Sequence, residues 1–92
     1  MAEKFAIAAF RSRQQVMYMV SALRRMGLPA AIVTTPRAVA TGCGLSVRFD
    51  PALAHTVADT ARNLQAGSLI GLYLVQRDEQ GRITCERLGT QP

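Results

Sequence analysis

The sequence predicts an α+β protein in which two helices lie on one face of an antiparallel sheet. Short apolar runs typical of strands alternate with two amphipathic helical patterns, in the order β-α-β-β-α-β, and one further strand pattern follows near the C-terminus. This is the ferredoxin-like order, which gives a two-layer sandwich with an extra C-terminal edge strand. The chain has 92 residues and no linker-like segment, so we expect one domain over 1–92. Its core should span about 4–76, with a hairpin and tail over 77–92.

The first strand and the first helix have clear local signals. Residues 4–10 read KFAIAAF, a short apolar run that fits a buried strand. Ser12 with Gln15 three residues later matches a capping box, and apolar side chains at helical spacing follow. Gly27 and Pro29 then end the helix.

The middle of the chain predicts two strands and the start of the second helix. Residues 30–35 are apolar and β-branched, which favours a strand. Residues 45–49 alternate strictly between apolar and polar side chains. This alternation predicts a half-exposed strand with Ser46 and Arg48 on its outer face. Asp50 followed by proline is typical of a helix N-terminus.

The second helix and the last two strands complete the pattern. The helix should end near Gly67, with an inward stripe of four apolar residues: Leu53, Val57, Ala61 and Leu64. Residues 69–75 predict a fourth strand, residues 77–81 a hairpin connection, and residues 83–88 an edge strand.

Composition and charge exclude several classes of function. The net charge is +5, but the basic residues are scattered and form no run, so a dedicated nucleic-acid face is not indicated. Among the aromatic residues, only Tyr73 fits a base-stacking position on a central strand. No apolar run approaches the ~18 residues of a membrane span, and the N-terminus lacks the features of a secretory signal. Two cysteines 42 positions apart form no disulfide framework, so we expect a cytoplasmic protein with reduced thiols.

The connection between the second and third strands carries the strongest chemical signal. It covers residues 35–44 and is about ten residues long, whereas a simple hairpin loop needs two to five. Within it, Cys43 has Arg37 six residues before it and Arg48 five residues after it. A thiolate is the nucleophilic form of cysteine, and a nearby guanidinium group favours that form. The two arginines could therefore activate Cys43 and hold the charge of a persulfide.

Glycines flank this cysteine, and two interpretations of the loop stay open. Gly42 and Gly44 would leave the sulfur approachable and free backbone N–H groups to face an anion. Alternatively, Cys43 is a small buried apolar residue, the glycines serve a turn, and Arg48 faces water.

Other candidate sites have weak signals. His55 is the only histidine and has no partner at a ligand spacing, so we expect it at the surface. Cys85 fits packing in the edge strand, and a resolving-thiol role with Cys43 has no support in the sequence. The chain contains no phosphate loop, zinc spacing or nucleophile–histidine–acid set, so we expect neither a metal nor a cofactor.

The stretch TPRAVATGCGLSVRF resembles the signature of the selenium/sulfur carrier protein-like family. The upstream segment FRSRQQVMYMVSALRRMGLPAAIV is similar to that family's first helix and following strand. The resemblance covers residues 5 to about 75, so Cys85 inherits no role from it. It implies that Cys43 is a carrier thiol and that the matching positions around it form its motif: Thr35, Pro36, Arg37, Gly44 and Arg48.

The resemblance implies a relay function rather than enzymatic turnover of a small molecule. Cys43 would accept sulfur or selenium from a persulfide donor, such as a cysteine desulfurase, and pass it to an acceptor protein. The alternative is a non-catalytic interaction or regulatory module in which Cys43 is structural. A short exposed edge strand also offers a route to a homodimer.

Overall fold

The computed structural model describes residues 2–39, 44–65 and 67–89, and it confirms an α+β fold with an antiparallel sheet and two helices. The two helices are α1 and α2, at Arg13–Arg25 and Ala54–Asn63, and a short 3-10 turn at Pro51–Leu53 precedes α2. The five strands are β1 at Glu3–Phe10, β2 at Ala31–Thr34, β3 at Leu45–Phe49, β4 at Leu69–Arg77 and β5 at Ile83–Arg87.

All strand pairs in the sheet are antiparallel, and the strand order is β2-β3-β1-β4-β5. The β1–β4 ladder runs from the Glu3–Arg77 pair to the Ala9–Gly71 pair, with an irregularity before Phe10. β1 is the central strand, and residues 6–9 have no solvent exposure on either face. The continuous apolar run of β1 therefore reflects burial on both faces of the sheet.

Ser12 caps the N-terminus of helix α1, but the predicted capping box forms only in part. The Ser12 hydroxyl accepts a hydrogen bond from the Gln15 backbone N–H (3.2 Å). The Gln15 side chain does not return to the cap; its Oε1 accepts from the backbone N–H of Ser68 (2.9 Å) and from the Ser68 hydroxyl. The Ser68 hydroxyl in turn accepts from the Ser12 N–H (3.2 Å). A non-local partner thus replaces the local one, and the start of α1 is tied to the entrance of β4.

Helix α2 is shorter than its sequence pattern predicts. The Asp50 carboxylate accepts from the Ala52 N–H (2.9 Å), as expected of a capping residue, and the 3-10 turn separates it from the helix. Leu64 was predicted to face inward, and this is wrong: the side chain is 43% exposed. The reason is that the helix ends at Asn63, and Gln65 adopts a positive φ of 53°. In the described ranges, no helix is both long enough and apolar enough to cross a membrane.

The hydrophobic core lies between the helices and one face of the sheet. Both helices contribute to it, and strands β1, β3 and β4 supply the facing side chains. The largest fully buried members of this cluster are Phe10, Met19, Leu23, Val16, Val47 and Val57.

The opposite face of the sheet, here called the second face, carries alternate residues of every strand. On β1 these include Phe5 and Ile7, and the register places Arg48 and Tyr73 beside Ile7. The prediction of a half-exposed β3 is wrong at Ser46, which has no solvent exposure. The hydroxyl tolerates burial because it has a hydrogen-bond partner in Thr35, the residue after β2, as described next.

Candidate functional site

Thr35 and Gly44 are the first and last residues of the predicted cysteine loop, and they are hydrogen-bonded to each other. The Thr35 N–H donates to the Gly44 carbonyl oxygen (2.9 Å), which extends the β2–β3 ladder by one pair. The Thr35 hydroxyl is also 2.6 Å from the Ser46 hydroxyl, and both side chains are buried. We call these two contacts of Thr35, with Gly44 and with Ser46, the lock. They fix where the loop leaves and re-enters the sheet.

Gly44 has a steric reason to be glycine. A Cβ at this position would lie 3.1 Å from the Thr35 hydroxyl oxygen, which is closer than ordinary van der Waals contact. The Thr35 side chain has little freedom to withdraw because Ser46 holds it. That Gly44 keeps the neighbouring sulfur approachable stays a prediction, whereas the contact with Thr35 is an observed reason for glycine at this position.

Arg37 lies in a single turn directly after β2. The turn covers residues 36–39 and is closed by a hydrogen bond from the Val39 N–H to the Pro36 carbonyl oxygen (3.0 Å). Arg37 occupies the second position of this turn, and its side chain is exposed. The predicted motif residues Thr35, Pro36 and Arg37 therefore stand together where the loop leaves the sheet.

Two predicted site residues, Gly42 and Cys43, lie outside the described residues. Their roles as the carrier thiol and its flanking glycine stay predictions. The described chain fixes the positions on either side of them, at Val39 and at Gly44.

Arg48 lies on the second face and is held there by β1. Its guanidinium donates to the Glu3 carboxylate (3.3 Å) and lies 4.0 Å above the centre of the Phe5 ring. Gly44, the residue before β3, is four positions earlier in the chain, which is roughly 13 Å of extended backbone. The structure thus places the backbone of Arg48 away from the end of the loop, and its predicted role toward the sulfur stays a prediction.

The second face also carries a groove that sequence reasoning did not find. Its volume is about 410 Å³, and it runs from Thr35 and Pro36, just after β2, across the sheet to Ile83 on β5. Ile7 and Val75 line it, and one wall is polar because Glu3 interacts with both Arg48 and Arg77, the latter at 3.8 Å. Strand alternation could have identified which residues of each strand face this side of the sheet. Only the strand register shows that Glu3, Arg48 and Arg77 lie close together.

Cys85 and His55, the other candidates from the sequence, differ in their surroundings. Cys85 is partly buried on β5 opposite Val75, and this burial raises the pKa of its thiol above the ordinary value. A raised pKa keeps the thiol protonated at neutral pH and makes it a poor nucleophile. The predicted surface position of His55 is confirmed, since its side chain is exposed.

Comparison with known proteins gives one match. Residues 5–66 match the family described as Putative Se/S carrier protein-like. The matched range includes position 43 and stops before position 85. No curated protein and no solved structure matches the chain. The family match covers well over half of the sequence, and the chain therefore belongs to the Putative Se/S carrier protein-like family.

Proposed function

We propose that this protein carries sulfur or selenium on Cys43 and relays it from a donor to an acceptor protein. The observation that carries this proposal is the family match, whose range contains Cys43 and excludes Cys85. Burial disfavours the thiolate of Cys85, which leaves Cys43 as the better candidate for the carrier thiol.

The proposed relay consists of two thiol exchange steps. The Cys43 thiolate attacks the terminal sulfur of a donor persulfide, R–S–SH, and forms a new S–S bond. The S–S bond of the donor breaks, the donor leaves as the thiolate R–S⁻, and Cys43–S–SH carries the transferred sulfur and its proton. An acceptor thiolate then attacks the terminal sulfur and restores the Cys43 thiolate. There is no net oxidation, and the rate depends on the thiolate fraction, on access and on the leaving-group pKa.

The surroundings of Cys43 in the sequence are suited to this chemistry. Arg37 is exposed at the start of the loop, and its positive charge would favour both the thiolate and the bound persulfide anion. We assign the same role to Arg48, in competition with Glu3, which already accepts a hydrogen bond from it. Gly42 would supply an unhindered backbone N–H group, and Gly44, which pairs with Thr35 at the end of the ladder, would leave space beside the sulfur.

The proposed relay also implies which partners the protein has, in which compartment it acts and whether it is an enzyme. A donor such as a cysteine desulfurase and an acceptor protein must each reach the loop, so the protein acts as a carrier rather than as an enzyme. The chemistry requires reduced thiols, and we propose the cytoplasm as its compartment. We also assign the fold to the ferredoxin-like group, since β1 and β3 are the two central strands of the β2-β3-β1-β4 part of the sheet.

A second candidate function is an interaction module in which Cys43 is structural. One observation favours it: two motif positions, Thr35 and Gly44, take part in the lock at the base of the loop. A motif that is required only for folding would need no reactive sulfur.

Intact-mass measurement separates these two functions. Reduced protein is incubated with glutathione persulfide, and the mass is compared among the wild type, Cys43→Ala and Cys85→Ala. The relay predicts a gain of one sulfur atom that only Cys43→Ala abolishes, and slower loading in Arg37→Gln than in the matched surface variant Arg62→Gln. Equal loading of Cys43→Ala and the wild type, or no loading of either, would favour the interaction module.

A further inference from the structure

The two edge strands of the sheet differ in whether they carry charged side chains. β5 forms one edge and carries Glu86 and Arg87, and charged side chains are a common protection against strand addition. β2 forms the other edge and lies within residues 26–36, a stretch of eleven residues without a charged side chain. In a chain with net charge +5, β2 is the edge that another strand can approach without meeting charge on the strand itself.

The outward-facing backbone groups of β2 follow from its pairing with β3. The Thr35 N–H bonds to the carbonyl of its direct partner Gly44. Bonded and non-bonded pairs alternate in an antiparallel ladder, so Val33 also bonds to β3. Ile32 and Thr34 therefore direct their N–H and C=O groups away from the sheet. Among the described residues, no backbone or side-chain group bonds to these four groups.

We propose that a second copy of this chain pairs with β2 in antiparallel orientation, about a two-fold axis at Val33. In this register Ile32 of one copy faces Thr34 of the other, on both sides of the axis. Each of the two pairs exchanges two hydrogen bonds, so all the outward groups of Ile32 and Thr34 meet partners. Val33 then faces its own counterpart as a non-bonded pair. The five-stranded sheets of the two copies become one continuous sheet of ten strands.

A second copy suits this edge better than a highly charged partner does. The paired segments are uncharged in both copies, and Ile32 is 41% exposed in the single chain, so pairing covers apolar surface. Ala30 limits how far the paired segment can extend, because its carbonyl oxygen already accepts two hydrogen bonds from the Arg24 side chain (3.1 and 2.9 Å). The axis at Val33 leaves this carbonyl out of the pairing.

The arginines beside β2 determine how association should respond to salt. The two-fold axis brings Arg24 of one copy toward Arg37 of the other, at the outer ends of the paired strands. Added salt screens this repulsion between exposed charges. The dimer should therefore tighten as ionic strength rises, whereas pairing with an acidic partner segment would weaken. Sedimentation equilibrium of the full chain at low and high salt measures this directly.

Disulfide trapping tests the register. Both native cysteines are replaced by serine, and single cysteines are placed by Val33→Cys, Ile32→Cys and Thr84→Cys. A non-bonded antiparallel pair has Cα atoms about 4.5 Å apart, which suits a disulfide. The diagonal separation of about 7–8 Å expected between the two Ile32 positions does not. Under mild oxidation, Val33→Cys should form a covalent dimer about tenfold faster than the other two variants.

Several results would overturn the proposal. A monomer at all concentrations and salt conditions would do so, as would equal trapping of Val33→Cys and Thr84→Cys. Faster trapping of Thr84→Cys would assign the contact to β5 instead. Association that weakens with salt would point to opposite charges and to a different interface. Sedimentation uses the unmodified chain, so the proposal can fail even if a cysteine variant does not fold, and no outcome depends on sulfur transfer.

Discussion

Thr35 shows how one side chain can fix the ends of a long loop. Its backbone extends the β2–β3 ladder to Gly44, and its hydroxyl is buried 2.6 Å from the Ser46 hydroxyl. A buried hydroxyl without a partner costs about 1–3 kcal/mol. The lock therefore depends on both side chains.

We expect Thr35→Val to lower the free energy of unfolding by about 1–3 kcal/mol, because it leaves the Ser46 hydroxyl buried without a partner. The double variant Thr35→Val with Ser46→Ala should lose less than the sum of the single losses. Urea denaturation measures each value, and the exposed neighbour Thr34→Val is the matched control. Strict additivity of the two single variants would contradict the lock.

The pKa of Cys85 makes a second prediction at the residue scale. Burial raises this pKa, so the thiolate fraction at a given pH is smaller in the folded protein than in the unfolded chain. In a Cys43→Ser background, alkylation of Cys85 by iodoacetamide should rise with pH. Its midpoint should lie at a higher pH in buffer than in concentrated urea. Equal midpoints in the two conditions would show that the fold does not protect this thiol.

The sequence predicts the sheet face on which a side chain lies better than it predicts the contacts of that side chain. Alternation on β3 placed Arg48 correctly on the face opposite the core, because side-chain direction is a local property. It could not identify Glu3 as the partner of Arg48, because that contact joins residues 45 positions apart. It also could not bury Ser46, because alternation within one strand does not show that Thr35, on the other side of the loop, is its partner. Cys43 and Gly42 lie outside the described residues, so their roles rest on the motif and the family.

At the scale of elements, the α1 cap illustrates the same limit. The pattern of Ser12 and Gln15 predicted a helix start at the correct residue, and the Ser12 hydroxyl does cap it. The Gln15 side chain instead bonds to Ser68, more than fifty residues away. A local motif can set a helix boundary, while tertiary structure decides which group its second member satisfies.

This contact predicts that Gln15→Ala destabilises the protein by about 1 kcal/mol. The substitution removes the acceptor for the Ser68 N–H, which is partly buried at the entrance of β4. Gln14→Ala is the matched control, since its bond to the Tyr18 hydroxyl is exposed and should matter by less than about 0.5 kcal/mol. Similar losses for both variants in urea denaturation would show that the link between α1 and β4 contributes nothing.

At the scale of the whole molecule, the sheet extends beyond the range that matches the family. The match ends at residue 66, yet β4 lies next to the central strand β1 along its whole length. Leu72 of β4 also belongs to the hydrophobic core. The matched range therefore contains the candidate site but not all the strands that stabilise it.

A fragment of residues 1–66 should consequently fail to fold. Without β4, one side of β1 loses its hydrogen-bond partners, and residues 6–9 become exposed at an apolar edge. Far-UV circular dichroism during urea titration should show a cooperative transition for the full chain and none for the fragment. A cooperative transition in the fragment would mean that the first 66 residues form a self-sufficient unit.

One measurement tests whether Cys43 both takes up and releases a sulfur atom. The protein is loaded with a ³⁴S-labelled persulfide, separated from the donor, and mixed with a thiol acceptor, with the isotope followed by mass spectrometry. The relay predicts that the label appears on the peptide containing Cys43 and then leaves for the acceptor, restoring the original protein mass. A label that never reaches Cys43, or that stays there in the presence of excess acceptor, would contradict the relay.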